Sequence, residues 1–237
     1  MSQPFRSGTH WSSTIWPGLS ASFDDEQIIL RSGQLLETLS SSVYGGGSGV
    51  WAHAFVNRKV PLSYRSGDPV EDLREMIRKA RLPAEATVGL LTAAKLTHAS
   101  VHEEAGDRFN IVCLATAGIG NAARAGAERQ VFSAYSAGTI NIFVLIDGQL
   151  SPSAMVGAII TATEAKCAAL QDLGIPDPVH GVIATGTTTD SVVIAVSQNA
   201  DFGAVHAYAG AATTLGNTLG RAVYRTVYES VKTRDEL

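Results

Sequence analysis

Two stretches of this chain are apolar on both sides of what must be an extended backbone. Ile140, Ile142, Val144 and Ile146 alternate with Phe143 and Leu145, and Val192 to Val196 is apolar throughout. Successive side chains of a strand point to opposite faces, so a run with no polar face has to be covered on both sides. That excludes an open sheet with one wet face. It predicts layers, with strands enclosed by helices or by a second sheet in an α/β or α+β arrangement. With 237 residues the chain is long enough to bury such a core, and it shows neither an internal repeat nor a linker. One domain is expected over residues 27–237. Residues 1–26 are polar, with Trp11 and Trp16 as isolated anchors, and read as a leader lying on the surface.

The first apolar strand, Thr139 to Ile146, leads through Asp147-Gly148 and Ser151-Pro152 into a helix that stops near Gly174, ahead of Pro176 and Pro178. A short strand then runs into the polar turn Thr185 to Ser191, which opens the second apolar strand. Upstream, Gln27–Arg31 reads as a short strand, and Tyr44 to Gly49 as a break in regular structure after Ser40-Ser41-Ser42. Val50 to Val56 alternates as a strand with Asn57 at its end. Asp68-Pro69 caps a helix over Val70–Ala80 whose stripe is Leu73, Met76, Ile77 and Ala80. Val88–Ala94 and Asn110–Thr116 are strands, and Ala117–Gly126 is a small-residue loop. The last helix, Ala212 to Lys232, repeats Leu215, Leu219, Val223, Val227 and Val231 every four residues.

The net charge of −4 provides no basic footprint, which sets nucleic acid aside. Cys113 and Cys167 lie in apolar surroundings and read as buried thiols of a reducing compartment. The start of the chain lacks a signal-peptide pattern, and no window approaches about eighteen uninterrupted apolar residues. A cytoplasmic protein without a membrane partner is expected.

Chemistry concentrates between residues 139 and 191. Asn141 interrupts an apolar strand, so its amide is there to make hydrogen bonds: it either pins a neighbouring loop or holds a substrate amide or oxyanion. Glu164 and Lys166 lie two apart on a helix and cannot face the same way. Glu164 shares a face with Ile160 and Cys167, which predicts partial burial and a carboxylate suited to general-base work. Gly186 to Ser191 is a hydroxyl-rich turn in which Asp190 either activates a water or serves an Asx turn. The glycines at 45–49 and 118–126 match neither phosphate-binding pattern, and fit close backbone approach to a bulky ligand. His98 and His102 mimic a metal pair four apart but lack HExxH, and read as solvated loop residues, so no metal site is expected. GxSxG is absent.

The ordered set of segments resembles a known family. Ser40-Ser41-Ser42 with the glycines after it, Gly89 to Lys95, Thr116 to Ala122, Gly138 to Ile142, Ile160 to Lys166, Gly186 to Ser191, and Tyr208 to Gly210 with Leu215-Gly216 are together similar to the adenosylcobinamide amidohydrolases, the CbiZ family. The resemblance covers about residues 28–232. It implies cytoplasmic corrinoid salvage: the amide joining aminopropanol to the corrin ring is hydrolysed to give adenosylcobyric acid on the way back to coenzyme B12. It implies no cofactor, since cobalt enters only with the substrate. It also implies a functional link to corrinoid uptake transporters, and it allows a homo-oligomer.

On that reading Glu164 or Asp190 deprotonates a water or a threonine hydroxyl, and Lys166, Asn141 or amides near Gly186-Thr187 stabilise the oxyanion. Ser42, Gly46, Gly47, Gly118, Gly120, Asn121, Gly186, Thr187 and Ser191 are expected to meet the substrate. The chain departs from the family pattern at Thr188, where a glycine is expected, and at Ala211-Ala212, where Thr-His is expected. These departures motivate a rival reading as an inactive corrinoid-binding protein. A fainter similarity to self-processing aminopeptidases of the DmpA type implies four layers, α-β-β-α, and a second rival in that class of amidase.

Overall fold

The computed structural model describes residues 2–129 and 138–236. Strands β1 (His10–Ser12), β2 (Ser20–Asp24), β3 (Gln27–Ser40) and β4 (Gly47–Lys59) precede helix α1 (Pro69–Lys79). Then come β5 (Thr87–Thr92), β6 (Ser100–Gly106), β7 (Phe109–Ala117), β8 (Ala122–Ala123), β9 (Ile140–Asp147) and β10 (Gln149–Leu150). Helix α2 (Pro152–Asp172), β11 (Gly186–Thr187), β12 (Ser191–Val196), β13 (Val205–His206) and α3 (Thr214–Lys232) complete the order.

Among the described residues one curled sheet runs β1-β2-β3-β12-β9-β7-β6, with β4 also on β3 and β5 on β4. β3 joins its two leaves. The first half of β3 pairs with β2 and β4, and its second half with β12 and β4, across an irregularity between Arg31 and Leu36. The leaves face each other, and the alternation of β9 shows how. Phe143 and Leu145 pack with Val112, Leu114, Val193, Leu30, Phe55, Val88 and Leu90 between the leaves. Ile140, Ile142, Val144 and Ile146 instead meet Ala158, Ala162, Leu219 and Val223 of α2 and α3. On the far side, Ile29 and Val56 meet Leu73, Met76 and Ile77 of α1. Three apolar interfaces therefore separate four layers, α-β-β-α, and strands lacking a polar face sit where both faces are covered.

The caps follow the sequence. Asp68 accepts from the amides of Val70 and Glu71, and Ser151 and Thr213 cap α2 and α3 through Ala154 N and Gly216 N. Helix α2 is long and apolar enough to span a membrane by length and composition, but half of that window is buried in the fold.

Three local expectations are corrected. The expected leader over residues 1–26 is not a surface segment where it is described: Phe5, Trp16 and Leu19 are buried between the leaves, at 2%, 4% and 1% exposure, and β1 and β2 extend the sheet. Gln3 ties this segment to the last turn of the chain, donating to His98 O at 3.0 Å and Thr233 Oγ1 at 2.7 Å. The strand expected over Gln27–Arg31 runs on to Ser40: pairing with β4 lapses after Arg31 and resumes in a shifted register at Leu36. His98 and His102 are not solvated loop residues. His98 is buried in a short 3-10 turn, and His102 sits on β6 beside Glu229.

Candidate functional site

The polar residues singled out in the sequence gather at one end of the sandwich, where β9 and β12 begin. These two strands run parallel, and their register sets Ser191 beside Asn141, with Thr116 of β7 on the other side of Asn141. Odd-numbered positions of β9 and β12 face between the leaves, so this row is a polar margin to the inter-leaf core. Asn57, from β4 of the opposite leaf, closes onto it.

Asn57 and Asn141 are both fully buried. Asn141 Nδ2 donates to Asn57 Oδ1 at 2.8 Å and to Leu91 O at 2.9 Å, and Asn57 Nδ2 donates to Thr116 Oγ1 at 2.8 Å. Thr139 Oγ1 lies 3.3 Å from Asn141 Oδ1 and donates to Thr189 O at 2.7 Å. Both N–H groups of Asn141 are therefore committed within the protein. The Asn141 amide thus ties the two leaves together, which fits the pinning alternative and leaves neither of its N–H groups for an oxyanion in this arrangement.

On the helix side of the same margin, Lys166 Nζ meets Asp190 Oδ2 at 2.5 Å, with side-chain exposures of 8% and 13%. Asp190 Oδ1 accepts from Ile140 N at 3.1 Å and Thr187 Oγ1 at 2.5 Å, and both carboxylate oxygens lie 3.1 Å from Thr187 N. The carboxylate thereby joins α2, the start of β9 and the turn before β12. Gly186 makes this approach possible: a Cβ there would fall 2.2 Å from Asp190 Oδ2 and 2.6 Å from Lys166 Nζ.

The other loops converge on this turn. Asn121 Nδ2 donates to Thr188 Oγ1 at 2.7 Å, and Thr189 Oγ1 donates to Gly138 O at 2.7 Å. β8 pairs with β11, and Gly118 N donates to Thr139 O at 2.9 Å. From the β3–β4 turn, Ser41 Oγ lies 3.1 Å from Ser191 Oγ, and Ser40 Oγ lies 2.7 Å from Ser42 Oγ. Gly46 folds so tightly over Ser42 that a Cβ would sit 2.2 Å from Ser42 O, with Gly47 opening β4. Hydrogen bonds and close approach thus link Gly118, Asn121, Asn141, Lys166, Gly186, Thr187, Asp190 and Ser191 through these elements, while Ser42, Gly46 and Gly47 lie in the turn next to Ser41, and Gly120 lies in the exposed loop before β8.

Glu164 is the exception. It is exposed and lines a groove of about 480 Å³ between α2 and α3 with Ala211, Asn217, Arg221 and Arg225. The helix is turned the other way from the expectation: Lys166 shares the buried face with Ala162, Ala169 and Leu170, and Glu164 shares the solvent face with Ile160. The departure at Ala211 falls in this groove. The departure at Thr188 falls at the site, where its hydroxyl receives Asn121.

Asn57, Thr116 and Thr139 are site residues that sequence reasoning missed. A buried-strand asparagine at position 57 was the available signal for one of them. Thiol chemistry finds no support: burial pushes the Cys113 thiol up to about 12 and raises that of Cys167, which donates to Thr185 O at 2.9 Å. Among the described residues no cluster of three or more His, Cys, Asp or Glu could hold a metal ion.

A carboxylate, an ammonium and several hydroxyls around a backbone-lined end of the sandwich suit addition to a carbonyl. A family model and a curated relative point the same way. A family model described as adenosylcobinamide amidohydrolase matches residues 18–237. A Methanosarcina mazei protein named adenosylcobinamide amidohydrolase is 32% identical over 198 residues, covering 81% of this chain and 87% of the relative. An uncharacterized protein of Methanocaldococcus jannaschii is 31% identical over 203 residues, covering 76% of this chain and 77% of its own. Among solved structures, a Burkholderia sp. β-aminopeptidase aligns with a TM-score of 0.43 at 11% identity, over 89% of this chain and 80% of its own. A Pyrococcus horikoshii protein aligns with a TM-score of 0.44 at 8% identity, over 90% of this chain and 78% of its own.

Proposed function

The chain belongs to the adenosylcobinamide amidohydrolase family, and on that premise we propose that it hydrolyses the amide joining aminopropanol to the corrin ring of adenosylcobinamide, leaving adenosylcobyric acid. The observation that carries this reading to particular residues is the Lys166–Asp190 pair, set where three loops converge.

Amide hydrolysis needs a group that takes a proton from the attacking oxygen and returns one to the departing nitrogen, and donors for the oxyanion that forms between. Asp190 is the carboxylate of this cluster. Lys166 carries three N–H donors, of which Asp190 takes one among the described residues. Among the described residues the others have no partner, so we infer that they face a developing oxyanion, with charge already in place and little reorganisation required. Asn141 and Asn57 hold the loops rather than touch the substrate. The Gly46 turn and Gly118–Asn121 form the rim, where small residues let the backbone approach the bulky corrin edge.

The test is incubation of the purified chain with adenosylcobinamide, followed by separation of the corrinoids. Release of aminopropanol with a species of the mass of adenosylcobyric acid is the expected result. Unchanged substrate that co-elutes with the protein would instead favour a corrinoid-binding role.

A further inference from the structure

The hydroxyls at this end of the sandwich differ in what they donate to. Thr139 Oγ1 donates to Thr189 O, and Thr189 Oγ1 to Gly138 O, at 2.7 Å each. Ser40 pairs with Ser42, and Ser41 with Ser191, hydroxyl to hydroxyl. Thr188 Oγ1 accepts from Asn121. Thr187 stands apart: its Oγ1 donates to a carboxylate oxygen, Asp190 Oδ1, at 2.5 Å, while Lys166 holds the other oxygen at 2.5 Å. Thr187 Oγ1 also receives Thr189 N at 3.3 Å, a donor that would support negative charge on that oxygen. Thr187 and Asp190 are half-buried, between the surface rim and the inter-leaf core.

A hydroxyl becomes a nucleophile when a positioned base takes its proton and a third group orients that base. We infer that Thr187 is the nucleophile of this amidohydrolase, with Asp190 as its base and Lys166 as the group that orients Asp190 and receives the oxyanion. The inference rests on the amidohydrolase reading above.

The step balances within these residues. The Thr187 Oγ–H proton passes to Asp190 as Oγ bonds to the amide carbon. Collapse of the tetrahedral adduct breaks the C–N bond, and Asp190 gives the proton to the leaving nitrogen, which departs as aminopropanol. The corrinoid acyl group is then an ester on Thr187. Water gives a proton to Asp190 and its oxygen to the ester carbon. The C–Oγ bond breaks, and the proton returns to Thr187. The sum is amide plus water to acid plus amine.

An ester intermediate partitions between water and an added nucleophile, which direct attack by water does not do. The experiment is turnover of adenosylcobinamide with and without hydroxylamine, by the unmodified chain and by Thr187→Val and Thr187→Ser. Expected is a corrinoid hydroxamate formed at the expense of the acid, with aminopropanol release sped up because hydroxylamine relieves a limiting deacylation. After acid quenching, the acyl group should map to the peptide containing Thr187. Thr187→Val should lose about a thousandfold or more in kcat, while Thr187→Ser stays within about tenfold of the unmodified chain. Aminopropanol release without partition, or an acyl group mapped to another residue such as Ser191, would overturn the assignment and leave the amidohydrolase reading standing. Should Thr187→Val fold poorly, the partition and the mapped adduct of the unmodified chain decide the matter alone. If the unmodified chain released no aminopropanol, the reading of the substrate would fail, and this inference with it.

Discussion

Lys166 on α2 and Asp190 before β12 form an ion pair of 2.5 Å at the margin of the core, with both side chains largely withdrawn from water. Neither partner is tolerable alone, because a buried charge without its counter-ion keeps its desolvation cost and loses its compensation. Lys166→Met is expected to destabilise the fold by about 3–5 kcal/mol, and Asp190→Asn by less, because the amide still accepts from Thr187 N and Ile140 N. Both should lower kcat by about a hundredfold or more. Chemical denaturation and turnover of the two variants check this. Wild-type kcat in either would contradict it.

Asn57 and Asn141 form a second pair across the leaves, so their contributions should not add. Each single change to Ala leaves a buried partner unsatisfied and is expected to cost about 1–3 kcal/mol. The double change should cost less than the sum of the two, since the interaction is then lost only once. A double-mutant cycle measures the difference. Strict additivity would mean that the two amides do not support each other.

Glu164→Gln separates the exposed carboxylate from the site. Its kcat and KM should stay within about twofold of the unmodified chain, as for a surface substitution. A loss comparable with that of Asp190→Asn would put Glu164 back into the chemistry.

Acid should weaken the fold in two stages. Burial lowers the pKa of His102 below its ordinary value of 6.5, with the Glu229 carboxylate offsetting part of the shift. The unfolded chain therefore binds a proton more readily than the folded one, and stability falls as pH drops below about 6.5. Asp177 is fully buried. Burial alone would raise its carboxyl, but hydrogen bonds from Arg129, the amides of Arg124 and Val179, and His180 hold it well below its ordinary value of 3.8. Its contribution is present above that value and is lost as pH falls beneath it. Thermal melts from pH 8 to pH 3 should show both declines. The pKa of His98, lowered chiefly by burial as well, adds to the first decline, so His102→Gln should reduce it without abolishing it and leave the second.

The first residues of the chain should matter to stability. Trp16→Ala is expected to cost about 3–5 kcal/mol, the range for removing a buried aromatic side chain. A change below about 0.5 kcal/mol would fit a surface leader.

The layered architecture was legible because β9 and β12 lack a polar face, and the helices because their caps and apolar repeats are local signals. The long β3 was not, since Ser32 to Leu35 disturb its alternation where the chain passes from one leaf to the other. The N-terminal segment reads as polar because its few large apolar residues, Phe5, Trp16 and Leu19, are dispersed, and only tertiary contact shows them to be core. Within the site, spacing on α2 established that Glu164 and Lys166 face apart, yet it carried no information on which faces the sheet. Ala162, Ala169 and Leu170 decide that in favour of Lys166. The Asn57–Asn141 contact joins residues 84 apart and depends on the facing of two leaves, which no local pattern encodes.

The most direct measurement is the corrinoid product of the purified chain. The protein is incubated with adenosylcobinamide, beside a matched sample of Asp190→Asn, and the corrinoids are resolved by chromatography and mass. Adenosylcobyric acid and equimolar aminopropanol are expected from the unmodified chain, and a trace from the variant. Adenosylcobinamide recovered intact from both would contradict that expectation.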